Sequence, residues 1–179
     1  MPNNALITGP PRSGKTTVLE RTVAALRESG CSIDGLSCPE IRDDGGRVAF
    51  EIVALQADER AVMAHVRYES GPRVGKYQVD VSAVDRLSRV ALETAVDRGD
   101  CDCLVIDEIA PMQLESDRFV EATRSALDAP VPVLAAIKDR STDGFLGEVK
   151  TRGDVERFAV GPETRDALPD RLCEWVRTG

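Results

Sequence analysis

The sequence predicts an α/β fold: a mostly parallel sheet with helices on both faces and an antiparallel β-insertion after the first helix. Wholly apolar runs at 5–7, 103–106 and 131–137 have the length and composition of buried strands. Amphipathic helical patterns separate these runs, and residues 33–79 hold several short β-type runs broken by glycine-containing turns.

Taken in order, Ala5, Leu6, Ile7 and Thr8 form a strand that Gly9 and Pro10 end. Leu19, Val23 and Leu26 then mark a helix over 15–29, stopped by Gly30. Residues 33–37 and 47–55 read as two strands joined in a hairpin through Asp43, Asp44, Gly45 and Gly46. Shorter strands are expected at 62–66 and 75–79, which puts the β-insertion at about 32–80. Val84, Leu87, Ala91 and Ala95 define a helix ending near Gly99, ahead of the apolar strand that Asp107 and Glu108 close. Phe119, Val120, Thr123 and Leu127 mark another helix, 131–137 an apolar strand and 155–160 a last short one. Leu168, Leu172, Trp175 and Val176 close the chain as an amphipathic helix. The polar segment 138–152, with Gly144 and Gly147, is the one long connection and a lid candidate.

With 179 residues, 42% of them hydrophobic, the chain is expected to be a single domain over 1–179. Its opening Met1, Pro2, Asn3 and Asn4 carry no basic segment, and no run approaches the roughly 20 apolar residues of a membrane helix, so a cytoplasmic protein is expected. The five cysteines, Cys31, Cys38, Cys101, Cys103 and Cys173, lack zinc-type spacing and read as free thiols. The lone histidine, His65, falls in an alternating run and reads as a surface-facing strand residue. A net charge of -8 argues against nucleic acid as a partner, since phosphate neutralisation supplies most of that affinity.

Gly9, Pro10, Pro11, Arg12, Ser13, Gly14, Lys15 and Thr16 make a complete GxxxxGK[ST] phosphate-loop motif between a strand and a helix. Loop amides and the positive helix end would converge there on a polyphosphate. Glycine is expected at Gly9 and Gly14 so that backbone can approach oxyanions closely. Lys15 reaches the β- and γ-phosphates, Thr16 offers its hydroxyl to Mg2+, and Thr17 stands near the α-phosphate. The second motif, Leu104, Val105, Ile106, Asp107 and Glu108, is a Walker B pattern that delivers two carboxylates to the phosphate end of the sheet. Strand alternation sends them to opposite faces, Asp107 to the magnesium shell and Glu108 to the attacking water. Candidate nucleotide contacts are thus 9–17 and 104–108, with Lys15 and Glu108 catalytic and Thr16 and Asp107 the metal ligands. Residues 137–140, the nearest approach to a guanine-reading signature, lack its spacing and first residue, which leaves the base open. Arg42, Arg140 and Arg152 are the candidates for an internal arginine finger.

Further stretches carry a family resemblance: Glu40, Ile41 and Arg42 with Gly45, Gly46, Arg47 and the strand to Leu55; Arg73, Val74, Gly75, Lys76 and Tyr77; Ile106, Asp107, Glu108 and Ile109; and Pro162, Glu163, Thr164, Arg165 and Asp166. Together with the phosphate loop they resemble the small nucleoside-triphosphatase family of thermophilic prokaryotes, also called the cancer-related nucleoside-triphosphatase family. The resemblance implies a RecA-like P-loop core that hydrolyses ATP, GTP and other nucleoside triphosphates to diphosphate and phosphate, with Mg2+ as cofactor. Ala110, Pro111, Met112 and Gln113 stand where members commonly have Gly-Lys-Met-Glu, and Ser37, Cys38 and Pro39 replace a common threonine. If the missing lysine or glutamate assists turnover, the departure implies slower hydrolysis with binding retained. Two other functions share these motifs, a nucleoside or small-molecule kinase with 138–152 as lid, and a slow nucleotide-dependent binding module read by a protein partner.

Overall fold

The computed structural model describes residues 2–138 and 140–179. Five strands run parallel in the spatial order β10 (Val155–Ala159), β1 (Asn4–Thr8), β9 (Val133–Ile137), β8 (Cys103–Ile109) and β2 (Ile33–Ser37). On β2 the sheet turns antiparallel and continues through β4 (Gly46–Ala54), β5 (Arg60–His65), β7 (Tyr77–Val79) and β6 (Arg73–Val74), with β3 (Glu40–Asp43) also on β4.

Side-chain alternation divides the parallel strands between two cores. Ala5, Ile7, Cys103, Val105, Leu134 and Ala136 pack with α1 (Lys15–Glu28) and α7 (Leu168–Thr178) on one face. Leu6, Leu104, Ile106, Val133, Ala135 and Ile137 point the other way. They meet α2 (Val81–Ser88), which passes through a π-helical turn at Arg89–Glu93 into α3 (Thr94–Arg98), together with α5 (Asp117–Asp128) and α6 (Gly144–Lys150). Polar caps set where these helices begin. Asp80 accepts from the Ala83 amide at the start of α2, and Ser116 accepts from the Phe119 amide at 3.0 Å while its hydroxyl donates to Asp85, tying α5 to α2.

The expected elements are present, with three differences. The Asp43–Gly46 turn does make a hairpin, but it joins β3 to β4; β2 reaches β4 through its own antiparallel pairing, Leu36 opposite Ala54. Strand β2 is therefore the last parallel strand, and the antiparallel insertion runs from β3 to β7. The polar segment 138–152 contains α6, whose Leu146 and Val149 lie in the core. A four-residue helix, α4 (Pro111–Leu114), follows β8.

One contact controls how closely β2 and β8 approach. Gly35 has φ +129, and a Cβ there would fall 1.9 Å from the Val105 carbonyl oxygen, so alanine forces the strands apart two residues before Asp107. Gly35→Ala is expected to cost about 3 kcal/mol in strain and overpacking, read by urea denaturation. A loss below about 1 kcal/mol would show that the two strands can part there freely.

Candidate functional site

Strand β1 ends at Thr8, and the loop 9–14 turns back over its tip into α1. Arg12 holds a left-handed φ of +63 inside a turn closed by the Ser13 amide on the Pro10 carbonyl at 3.1 Å. The two motif glycines are needed for different reasons. At Gly9 (φ +156) a Cβ would meet Ser13 Oγ at 2.6 Å and the Val160 carbonyl at 3.0 Å, so the obstruction lies inside the protein and not on the oxyanion side. At Gly14 (φ +102) the nearest atom is 4.0 Å away, and the left-handed backbone alone favours glycine. No side chain caps α1 and its first turn holds no acid, so the amides and positive end of this 14-residue helix are left for an anion. Pro10, Pro11, Arg12, Thr16 and Thr17 are exposed around that end. Ser13 Oγ is buried and has no hydrogen-bond partner among the described residues.

Walker B arrives on β8, separated from β1 only by β9. Pairing between β8 and β9 is regular through Ile106 opposite Ala135 and resumes at Ile109 opposite Ile137. Three residues of β8 therefore span two of β9, with Asp107 and Glu108 in the irregularity, where the Asp107–Glu108 peptide is cis. Such bulges re-aim side chains, and here both carboxylates reach the first turn of α1 instead of opposite faces. Thr16 lies close enough to Asp107 to draw its pKa down, and Glu108 Oε2 lies 3.6 Å from Lys15 Nζ. Lys15 Nζ also donates to the Ile137 carbonyl at 3.4 Å, so one ammonium bridges the tips of β8 and β9.

Asp107 is 7% exposed, and burial pushes its pKa up to about 6, with Thr16 opposing the shift and Glu108 and Glu20 adding to it. Leu104, Val105 and Ile106 are buried in the two cores and do not line the site; they hold the strand that delivers the carboxylates. Of the arginines, Arg152 is excluded as a finger. It binds Asp128 at 2.8 Å and Asp154 at 2.7 Å beside Asn4, at the end of the parallel strands away from the phosphate loop. Arg42 is held by Glu40 at 2.7 Å on the exposed β3, and Arg140 is exposed after β9. Within the base-signature span 137–140, Asp139 lies outside the described residues.

Three site residues escaped the sequence reading. Glu20 lies one helical turn beyond Thr16, close enough to Asp107 to raise its pKa. Cys38 follows β2, whose Ser37 pairs with Asp107, and burial beside Asp107 and Glu108 pushes its thiol up to about 12. Gln113, 3% exposed on α4, lies beside that thiol and draws its pKa down against the burial. Gln113 and Cys38 both had a visible signal, since they fall in the 110–113 and 37–39 departures.

A family model described as NTPase matches residues 4–173. The nucleoside-triphosphatase THEP1 of Methanopyrus kandleri is 41% identical over 177 residues, covering 98% of this chain and 96% of the relative. A cancer-related nucleoside-triphosphatase homolog of Bos taurus is 32% identical, covering 94% and 93%. Among solved structures, the crystal structure of THEP1 from Aquifex aeolicus superposes with a TM-score of 0.84 at 26% identity, covering 97% of this chain and 98% of that one. The solution structure of a human cancer-related nucleoside triphosphatase gives 0.80 at 32% identity, covering 99% and 98%.

The buried carboxylate makes a prediction about pH. An acid whose pKa is higher folded than unfolded keeps its proton preferentially in the native state. For Asp107, 3.8 unfolded against about 6 folded, metal-free stability should fall as pH rises from about 4 to about 6 and stay reduced above. In EDTA at pH 8, Asp107→Asn should be more stable than the parent by about 2 kcal/mol, a rise of roughly 5 °C in thermal midpoint that vanishes near pH 4. A lower midpoint at pH 8 would contradict the burial penalty.

Proposed function

The chain belongs to the nucleoside-triphosphatase family, and on that premise we propose how its residues cleave a nucleoside triphosphate to diphosphate and phosphate. The observation that carries the reading is the meeting of Lys15, Thr16, Asp107 and Glu108 at the first turn of α1.

Lys15 lies 3.6 Å from Glu108 and donates to the Ile137 carbonyl at 3.4 Å. A bound triphosphate offers more negative charge than one carboxylate, so Lys15 moves to the β- and γ-phosphate oxygens and releases Glu108. The Glu108 side chain is 38% exposed and open to water. It accepts a proton from the water that attacks the γ-phosphorus; the bond from that phosphorus to the β–γ bridging oxygen breaks, and the electron pair leaves with the diphosphate. Lys15 thus links the group that meets the phosphates to the group that activates water.

The residues also fit Mg2+. Asp107 and Thr16 offer hard oxygen donors, and the buried carboxylate lacks a full counter-charge. No group of three or more His, Cys, Asp or Glu able to cage a metal exists among the described residues. That suits an ion held by one carboxylate, one hydroxyl and the substrate's own phosphates. When bound, it would supply positive charge to the phosphate oxygens and the leaving group. Asp107 and Thr16 would hold it, and the free amides of α1 the remaining phosphate charge.

A kinase using 138–152 as a lid finds less support, because α6 anchors half of that segment in the core. Five free thiols support a reducing, cytoplasmic setting, and the charge of -8 supports a free nucleotide over nucleic acid.

Phosphate release should require Mg2+ and stop in EDTA. Glu108→Gln should lower it at least about 100-fold, while calorimetry with a non-hydrolysable triphosphate shows binding as tight as the parent or tighter, because a competitor for Lys15 is gone. Turnover unchanged in this variant would remove Glu108 from the mechanism.

A further inference from the structure

Lys150 is 7% exposed at the end of α6, an unusual place for an ammonium. Its Nζ donates to the Lys138 carbonyl at 2.5 Å and the Ser141 carbonyl at 2.7 Å, both on the turn that leaves β9. Two further contacts hold the same turn. The Lys138 amide donates to the Ile109 carbonyl at the tip of β8 at 3.2 Å. Gly147 lies so close beneath the turn that a Cβ would fall 2.0 Å from the Thr142 carbonyl oxygen. The base of α6 is fixed in turn by Arg157 of β10, which donates to the Lys150 carbonyl at 2.6 Å.

This turn follows the strand tip that Lys15 touches. β9 is the immediate neighbour of β1, with Ile7 opposite Ala136, and the residue before the turn, Ile137, gives its carbonyl to Lys15. The resting position of the phosphate-binding lysine is thus set by a peptide joined directly to the one that Lys150 holds.

We propose that Lys150 is a positioning residue for nucleotide binding: from α6 it holds the carbonyls of Lys138 and Ser141 and so sets the wall of the cleft beside Lys15. The proposal rests on the nucleotide site described above, and it concerns affinity, not the chemical step. A buried ammonium brings strong charge-assisted donors to both carbonyls and pins the turn beside the strand tip that Lys15 touches. Without it, the turn relaxes and no longer fixes that tip. Asp107, Thr16 and Glu108 take no part in the strap, so the rate of the bound complex is unaffected.

The test replaces Lys150 by Met, which keeps much of the side-chain length and removes the donors. Calorimetry with ADP and steady-state phosphate release with ATP are read on the parent and Lys150→Met. The Kd for ADP and the KM for ATP should both rise roughly tenfold, with kcat within about twofold. A lowered thermal midpoint with unchanged Kd and KM would make Lys150 merely structural and overturn the proposal. So would a fall in kcat at unchanged KM. Should Lys150→Met fail to fold, Gly147→Ala keeps the ammonium and displaces the turn at Thr142; it should show the same rise, and an unchanged Kd there overturns the proposal. ADP affinity needs no turnover, so a parent that binds ADP and releases no phosphate would sink the hydrolysis reading and leave this comparison standing.

Discussion

One ammonium, that of Lys15, lies between the carboxylate of Glu108 and the carbonyl of Ile137, and the architecture around it exists to bring those three groups together. They belong to α1, β8 and β9, which are far apart in sequence and adjacent in space only because β9 is inserted between β1 and β8. Parallel strands align their C-terminal tips, so a loop leaving β1 and acids leaving β8 must appear on the same edge. The order of strands does chemical work before any side chain is considered.

Holding that edge together requires apolar burial elsewhere to offset an unfavourable arrangement at the tip. The central strands are buried on both faces, with Leu104, Ile106, Val133 and Ile137 in one core and Val105, Leu134 and Ala136 in the other. Against this background Asp107 is an anomaly: buried, close to Glu108 and Glu20, and relieved only by Thr16 and Lys15. The contrast with Asp34 is instructive. Asp34 is equally buried on the neighbouring β2, but Arg98 meets it at 3.2 Å and its other oxygen accepts from the Gly35 amide at 2.7 Å. One acid is paired with an arginine of the fold, and the other remains penalised by its burial.

What could be read from the sequence was what local pattern encodes. The phosphate loop, the apolar strands and the amphipathic helices all have signals confined to a dozen residues, and these placed β1, α1 and the apolar run of β8 correctly. Elements whose cause lies elsewhere were missed. Strand β3, Glu40–Asp43, is charged and largely exposed, and is a strand because β4 pairs with it. Helix α6 carries two glycines in seven residues, a poor intrinsic helix, and forms because Leu146 and Val149 reach the core. The joint approach of Asp107 and Glu108 to α1 depended on a bulge that no alternation rule would supply. Excluding Arg152 needed the direction of the sheet, since only then do Asn4 and Asp154 mark the far end.

The same reasoning applies to residues of the resemblance that lie in the β-insertion. Arg47 Nε donates to Tyr77 Oη at 3.2 Å and Arg47 Nη1 binds Glu40 at 3.1 Å, while the Tyr77 ring meets Phe50 edge-on at 5.2 Å. These contacts knot the β3–β4 and β6–β7 hairpins into one body. An edge of short strands and turns could otherwise shift register or shear. β4 pairs with β2, and β2 places Ser37 opposite Asp107 with Cys38 beside both acids. Slack in the insertion would therefore reach the strand tip through two steps of backbone pairing. The knot acts on the site by removing that slack, which gives Glu40, Arg47 and Tyr77 a reason to occur together.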